Sequence, residues 1–176
     1  MQHGVESREP AMAVVDHPAQ SGPAETWVLF LLDEQTYGLH IWEVERIVRA
    51  VEVKPLPESP PHIRGIVNVQ GRVLPVVDLR IRLGQPTRDI HLEDHFIIAR
   101  TGSLSIVLPV DAALGSAEVS GGSNVIEDEA RGGCLRQVVT LDGEAIFALD
   151  LQRVLFRSQA PAESDLPAVL AELQNA

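Results

Sequence analysis

The chain has 176 residues, room for one domain or two small subdomains, and 45% of them are hydrophobic, so a sizeable core can form. Its net charge of -11 and pI near 4.9 argue against nucleic acid and anionic membrane surfaces as partners, since both reward positive fields. Aromatic residues make up only 4%, so the core must come mostly from Val, Leu and Ile, and the single cysteine, Cys134, excludes an intramolecular disulfide and suits a reducing cytoplasm.

No apolar run reaches the ~18 residues of a membrane span. The N-terminus lacks the charged-then-apolar pattern of a signal peptide. A cytoplasmic protein is therefore expected. Residues 1–25 mix Gly, Pro, Ala, Ser and acids without periodicity and read as a disordered tail. Order is expected from the apolar run Trp27–Leu32, which with Tyr37–Ile41 makes a hairpin around the polar stretch Asp33–Thr36. Pro55, Pro57, Pro60 and Pro61 then forbid helix or central strand.

Gly65–Gly71 reads as a strand ending in a glycine turn, and Arg72–Asp78 as the next. Pro75 within it points to a sheet edge or a bulge. Leu79–Leu83 can form one helical turn stopped by Gly84. His95–Arg100 and Leu104–Val110 form a second hairpin, and Gly121–Asn124 a loop. Leu135–Leu141 and Glu144–Asp150 flank the hairpin signal Asp142-Gly143. Residues 158–176 read as a linker and a short amphipathic helix, with Ser164 as cap and Leu166, Val169, Leu170 and Leu173 on one face.

The chain also repeats itself. Gly71 and Gly143 are each followed seven residues later by Asp-Leu, at Asp78-Leu79 and Asp150-Leu151, and Ile66–Gly71 lines up with Val138–Gly143 at the same offset of 72 residues. One pair of repeats is too few for a solenoid. Two pseudo-equivalent β subdomains fit, with each Asp placed to cap the turn after its strand.

Nothing here assembles an active site. His91-Leu-Glu-Asp-His95 has metal-like spacing, but zinc needs further ligands and a helix to present this pair. A solvated connector is the simpler reading. Glu127-Asp-Glu129 reads as a solvated acid run, and Cys134, with no partner motif, as a buried thiol. Gly121-Gly122 has neither P-loop nor dinucleotide spacing, and no nucleophile elbow is present. No catalytic residue, cofactor or metal is assigned.

Gly65-Ile-Val-Asn-Val-Gln-Gly-Arg-Val-Leu-Pro-Val-Val-Asp-Leu-Arg80 resembles the signature of the CheW family, the adaptors of bacterial chemosensory arrays. Gly65, Asn68, Gly71, Pro75, Asp78, Leu79 and Arg80 stand in register with it. Tyr37-Gly38 with Ile41 and Val44 resembles the family's second strand, Val110-Asp111 its Val-Asp-Gly-Val element, and Leu149–Leu155 its closing strand and turn. The resemblance covers residues 26–157. It implies an all-β fold of two SH3-like five-stranded β-barrel subdomains packed side by side.

It also implies a non-catalytic adaptor that couples a chemoreceptor of the methyl-accepting type to a CheA-type histidine kinase. Such an adaptor would be cytoplasmic and recruited to receptor arrays at the membrane. The implied partners are the regulatory domain of the kinase and the cytoplasmic tip of the receptor, with the receptor in an apolar groove between the barrels. By position, Ile41, Val44, Arg46, Gly65, Asn68 and Gln70 are the partner-binding candidates. Gly71, Pro75, Asp78, Leu79, Arg80, Asp111 and Asp150 are the structural ones. The chain departs from the pattern at Gln70, usually Arg, and at Arg46, usually Glu, as if an ion pair had become an Arg–Gln pair. It departs again at Ala112 and Ala113, and at Gln137, usually Gly. Such changes suit a divergent system controlling pili, gliding or a second-messenger enzyme. A metal-binding protein using His91 and His95 is the remaining alternative.

Overall fold

The computed structural model describes residues 23–120 and 132–156. The expectations for Gly121–Asn124, Glu127–Glu129 and the C-terminal helix, and most of that for the N-terminal tail, fall outside these residues. Ten strands form two five-stranded sheets. The first is ordered β8 (Ala112–Val119), β1 (Glu25–Leu32), β2 (Gln35–His40), β10 (Glu144–Leu149), β9 (Leu135–Leu141). The second is ordered β3 (Val44–Arg49), β6 (His95–Thr101), β7 (Leu104–Val110), β5 (Arg72–Val77), β4 (Ile63–Val69). The second sheet is thus one continuous stretch of chain, inserted between the β1–β2 hairpin and the three strands that complete the first.

Each sheet closes around its own core. In the second, Val48, Phe96, Ile98, Val107, Leu74, Val76, Val67 and Val69 come from all five strands and pack together. Closure is completed where Lys54, beyond β3, exchanges both main-chain hydrogen bonds with Ile66 of β4, at 2.8 and 2.9 Å. In the first, Trp27, Leu29, Val119, Val139, Ile146 and Ala148 play the same part. There β2 presents Gly38, whose added Cβ would lie 3.4–3.5 Å from Leu29, Ile146 and Trp27; the indole takes the space a larger residue would need.

A third and larger core lies between the barrels. Successive residues of β6 serve different cores: Phe96 and Ile98 point into barrel two, Ile97 and Ala99 into the interface. Burial on both faces explains why these strands are continuously apolar rather than alternating. Two short helices, α1 (Leu79–Arg82) and α2 (Leu151–Phe156), add Leu79, Leu151, Val154 and Leu155 to that interface.

The repeat is structural. Ile63–Val77 and Leu135–Leu149 form matching hairpins at the 72-residue offset. Their turns match in conformation: Gln70 and Gly71 have φ of 51° and 84°, Asp142 and Gly143 of 51° and 82°. Two successive left-handed residues are what a tight two-residue hairpin turn requires. Asp78 Oδ1 accepts from the Arg80 amide at 2.8 Å, and Asp150 Oδ1 from the Arg153 amide at 3.2 Å, so each aspartate caps its helix.

Three expectations need correction. β2 ends at His40, and Ile41 belongs to a single 3-10 turn, Ile41–Glu43, begun by the His40 ring accepting from the Trp42 amide. The resembled second strand is therefore two strands with a corner between them. β3 and β8 escaped the sequence reading because much of each is solvent-exposed, so neither shows an apolar alternation. Pro75 lies on β5, an inner strand and not an edge; β5 meets β7 in a single register pair, Val76↔Val107, while the register shift near it falls on its partner β4, between Ile63 and Gly65.

Candidate functional site

The antiparallel β3–β6 and β6–β7 pairings bring the start of β3, the end of β6 and the start of β7 to one end of barrel two. The β4–β5 turn lies there too, because β5 runs parallel to β7. Arg46 on β3 donates through Nη1 to Gln70 Oε1 on that turn. Beside it Glu45 accepts from Arg72 at 3.0 Å and from the Ser105 hydroxyl at 2.8 Å, and Arg72 donates to Ser105 at 2.9 Å. Burial acts to raise the Glu45 carboxyl, but the Ser105 and Arg72 hydrogen bonds, with Arg72 and Arg100 charges, outweigh it and hold the group below its ordinary value. Asn68 Oδ1 accepts from the Gly71 amide at 2.9 Å and braces the turn.

Of the six partner-binding candidates, three therefore gather here: Arg46, Asn68 and Gln70. Val44 lies two residues before Arg46 and packs against the inter-barrel core, with half-buried Ile41 in the corner before it. Gly65 stands apart. It is buried, with φ of +146°, and a Cβ there would sit 2.1 Å from the Lys54 carbonyl oxygen. Its glycine is explained by barrel closure.

The corner carries a residue that the sequence reading passed over. Trp42 is 84% exposed, the most exposed large hydrophobic side chain among the described residues. Its ring stacks on His40, centroids 5.9 Å apart, and His40 in turn meets the edge of buried Trp27 at 5.2 Å. A tryptophan inside the polar-flanked His40-Ile-Trp-Glu43 was the available signal. Neighbouring Glu43 is half-buried, and burial raises its carboxyl, opposed by a hydrogen bond from the His40 main chain and the Arg136 charge, with Asp150 adding to the rise.

Arg80, placed by the motif, is the centre of a second network. Its side chain is only 7% exposed and reaches Asp33 of the β1–β2 turn at 3.2 Å and Asp111 of the β7–β8 corner at 2.5 Å. Asp111 also pairs with Arg88 and accepts from the Asp33 amide at 2.8 Å. Burial acts to raise Asp111, but the Asp33 amide, Arg80 and Arg88 together hold it below its ordinary value. The network ties α1 of barrel two to the first hairpin of barrel one, so it fixes how the barrels sit. It offers no open coordination position.

The histidine pair is not on a helix. His91 lies in a connector and its amide donates to Asp94 Oδ2, while His95 opens β6. Asp94 is already taken by Arg88 at 2.8 and 2.9 Å. Among the described residues no group of three or more His, Cys, Asp or Glu side chains could hold a metal ion. Cys134 is fully buried, with Sγ 3.6 Å from the Arg82 and Gly132 carbonyls.

Comparison with known proteins bears on this arrangement as a whole. The CheW-like domain family matches residues 26–159, a stretch that contains both barrels. The chain belongs to the CheW-like family. It is similar to the chemotaxis protein CheW of Thermotoga maritima, 26% identical over 72% of this chain and 84% of that protein. It is also similar to the protein FrzA of Myxococcus xanthus, 30% identical over 55% of this chain and 61% of that protein. Among solved structures, the scaffolding protein TtCheW of Thermoanaerobacter tengcongensis superposes with a TM-score of 0.67 at 25% identity, covering 78% of this chain and 91% of that one. The two-barrel CheW-like fold is thereby established, and with it a non-catalytic scaffold role in chemotaxis signalling. Among the described residues no helix is long and apolar enough to cross a membrane.

Proposed function

We propose that this chain couples a chemoreceptor of the methyl-accepting type to a CheA-type histidine kinase, working in the cytoplasm and recruited to receptor arrays. The observation that carries the reading is the CheW-like match across both barrels, with every position of the Gly65–Arg80 signature given a place in the fold. Residues 26–157 are the working unit, with residues 1–25 and 158–176 as appendages to it. Ile41, Val44, Arg46, Asn68 and Gln70 form the partner-binding face, and Gly65 supports it from within. An exposed tryptophan beside arginine is the residue pairing that dominates protein interfaces. The test is reconstitution: kinase autophosphorylation is measured with receptor-bearing membranes, with and without the chain. Autophosphorylation that is indifferent to the chain with its own receptor and kinase sinks the proposal.

A second reading, service in a divergent chemosensory system controlling pili, gliding or a second messenger, is favoured by the Arg46–Gln70 pair in place of the usual Glu and Arg. The similarity to FrzA, a relative bearing another name, supports it. The pull-down that separates the two uses the host's several receptors as competing bait.

A further inference from the structure

A groove of about 750 Å³ opens on barrel two, away from the Arg46–Gln70 end. It is lined by Val51, Val53, Ile63, Ile90 and Leu92, with Arg64 as its cation. Val51 is 43% and Leu92 74% exposed, so the apolar lining is left open to water. The described chain ends beside it. Arg82 Nη2 lies 3.0 Å from the Leu155 carbonyl oxygen and 3.1 Å from His62 Nε2, and His62 directly precedes Ile63 of the lining.

We infer that residues 164–173 of this same chain fold into that groove as an amphipathic helix. Leu166, Val169, Leu170 and Leu173 recur at the spacing of one helical face. Ser164 supplies the cap, Asp165 suits the positive N-terminus, and Pro167 falls in the first turn, where its missing N–H costs nothing. Ten residues of helix span about 15 Å, and the link from Phe156 to Ser164 reaches up to about 27 Å, so the groove is within range. Arg64 can meet Asp165 or Glu172. Tethering decides between this occupant and a second copy. A segment on a short link has an effective concentration on the order of millimolar, which a separate molecule at ordinary concentration does not match. The inference does not depend on the adaptor reading, because it concerns the chain alone.

The experiment uses the full chain carrying Ala171→Cys with a nitroxide label, in isotope-labelled protein. Cys134 is left in place, and a chain without Ala171→Cys reports any label it takes. Expected is a selective loss of amide signal at Val53, Ile90 and Leu92, reversed on reducing the label and abolished by adding Leu166→Asp and Leu170→Asp. The rest of the spectrum should keep its dispersion in that variant, since both changes lie beyond the barrels. Signals that stay intact at the groove, or that are lost on another face, overturn the inference. So does a loss that arises when spin-labelled chains without isotope are mixed with isotope-labelled chains without spin label, because the occupant is then a second copy.

Discussion

Arg46 and Gln70 are hydrogen-bonded although they stand on strands at opposite edges of the same sheet, β3 first in the order and the β4–β5 turn last. The bond is therefore a clasp across the seam of barrel two. Both side chains are exposed, so the clasp adds little stability, of the order of 0–1 kcal/mol for such surface pairs. Its consequence lies in the charge it presents. Arg46→Glu with Gln70→Arg should shift binding toward a standard chemotaxis receptor while the melting temperature barely changes. Each single change should bind worse than the pair. Arg46→Glu alone sets a second carboxylate next to Glu45, and Gln70→Arg alone sets a second guanidinium against Arg46. Affinities of the four proteins for both receptors check this; four equal profiles would remove these positions from specificity.

The two caps should differ. Asp78 is buried, holds the Arg80 amide and lies 3.7 Å from Arg64, whereas Asp150 is more exposed and its bond is longer. Asp150→Ala should cost about 1 kcal/mol and Asp78→Ala about 2 kcal/mol in denaturant unfolding. Equal losses would show that the Arg64 contact and the burial of Asp78 add nothing.

Gly65→Ala should destabilise by about 3 kcal/mol or more, because it joins an unfavourable φ to a clash with main chain that cannot rotate away. Circular dichroism melting reads this directly. A near-normal melt with lost receptor binding would instead place Gly65 in the contact itself.

Acid should act on this fold in two directions. Glu43 is held above its ordinary 4.5, so the folded state binds its proton more tightly than the unfolded chain. Stability therefore rises as the pH falls through the raised value toward 4.5, and Glu43→Gln should lift stability at neutral pH and flatten that rise. Asp94 and Asp111 are held below their ordinary 3.8. Their contribution is complete above 3.8 and is lost as the pH falls through the lower folded values. A pH series of chemical unfolding should show a shallow maximum in mildly acid solution and a steep fall below it. Arg80→Met should remove much of that steep fall and cost about 3 kcal/mol at neutral pH, since it leaves Asp33 and Asp111 without their buried cation.

What was legible in the sequence was whatever repeats or alternates locally. The Asp-Gly and Gln-Gly turns, the capping aspartates and the 72-residue offset are short-range patterns, and the hairpins they predict are present. The Arg46–Gln70 contact was legible only because two departures from one motif occurred together. β3 and β8 were not legible, because exposed strands carry no apolar period and are held by partners distant in sequence, such as Glu25↔Val119. Nor was the Asp33–Arg80–Asp111–Arg88 network, whose members are scattered from the first hairpin to the seventh strand's end and share no spacing. Trp42 was visible as a residue, but its exposure follows from the corner, which no propensity announced.

The nesting of one barrel inside the other gives the protein a fixed order of assembly on the ribosome. Barrel two is complete once Val110 has emerged, and it can close at once from contiguous strands. The β1–β2 hairpin, made long before, must keep Trp27 and Leu29 without their partners until β10 arrives about a hundred residues later. At roughly 5–20 residues per second that wait lasts about 5–20 s. The newborn chain thus spends its most vulnerable interval with a finished barrel and an orphaned hairpin, and a pause in translation before β8 would lengthen it.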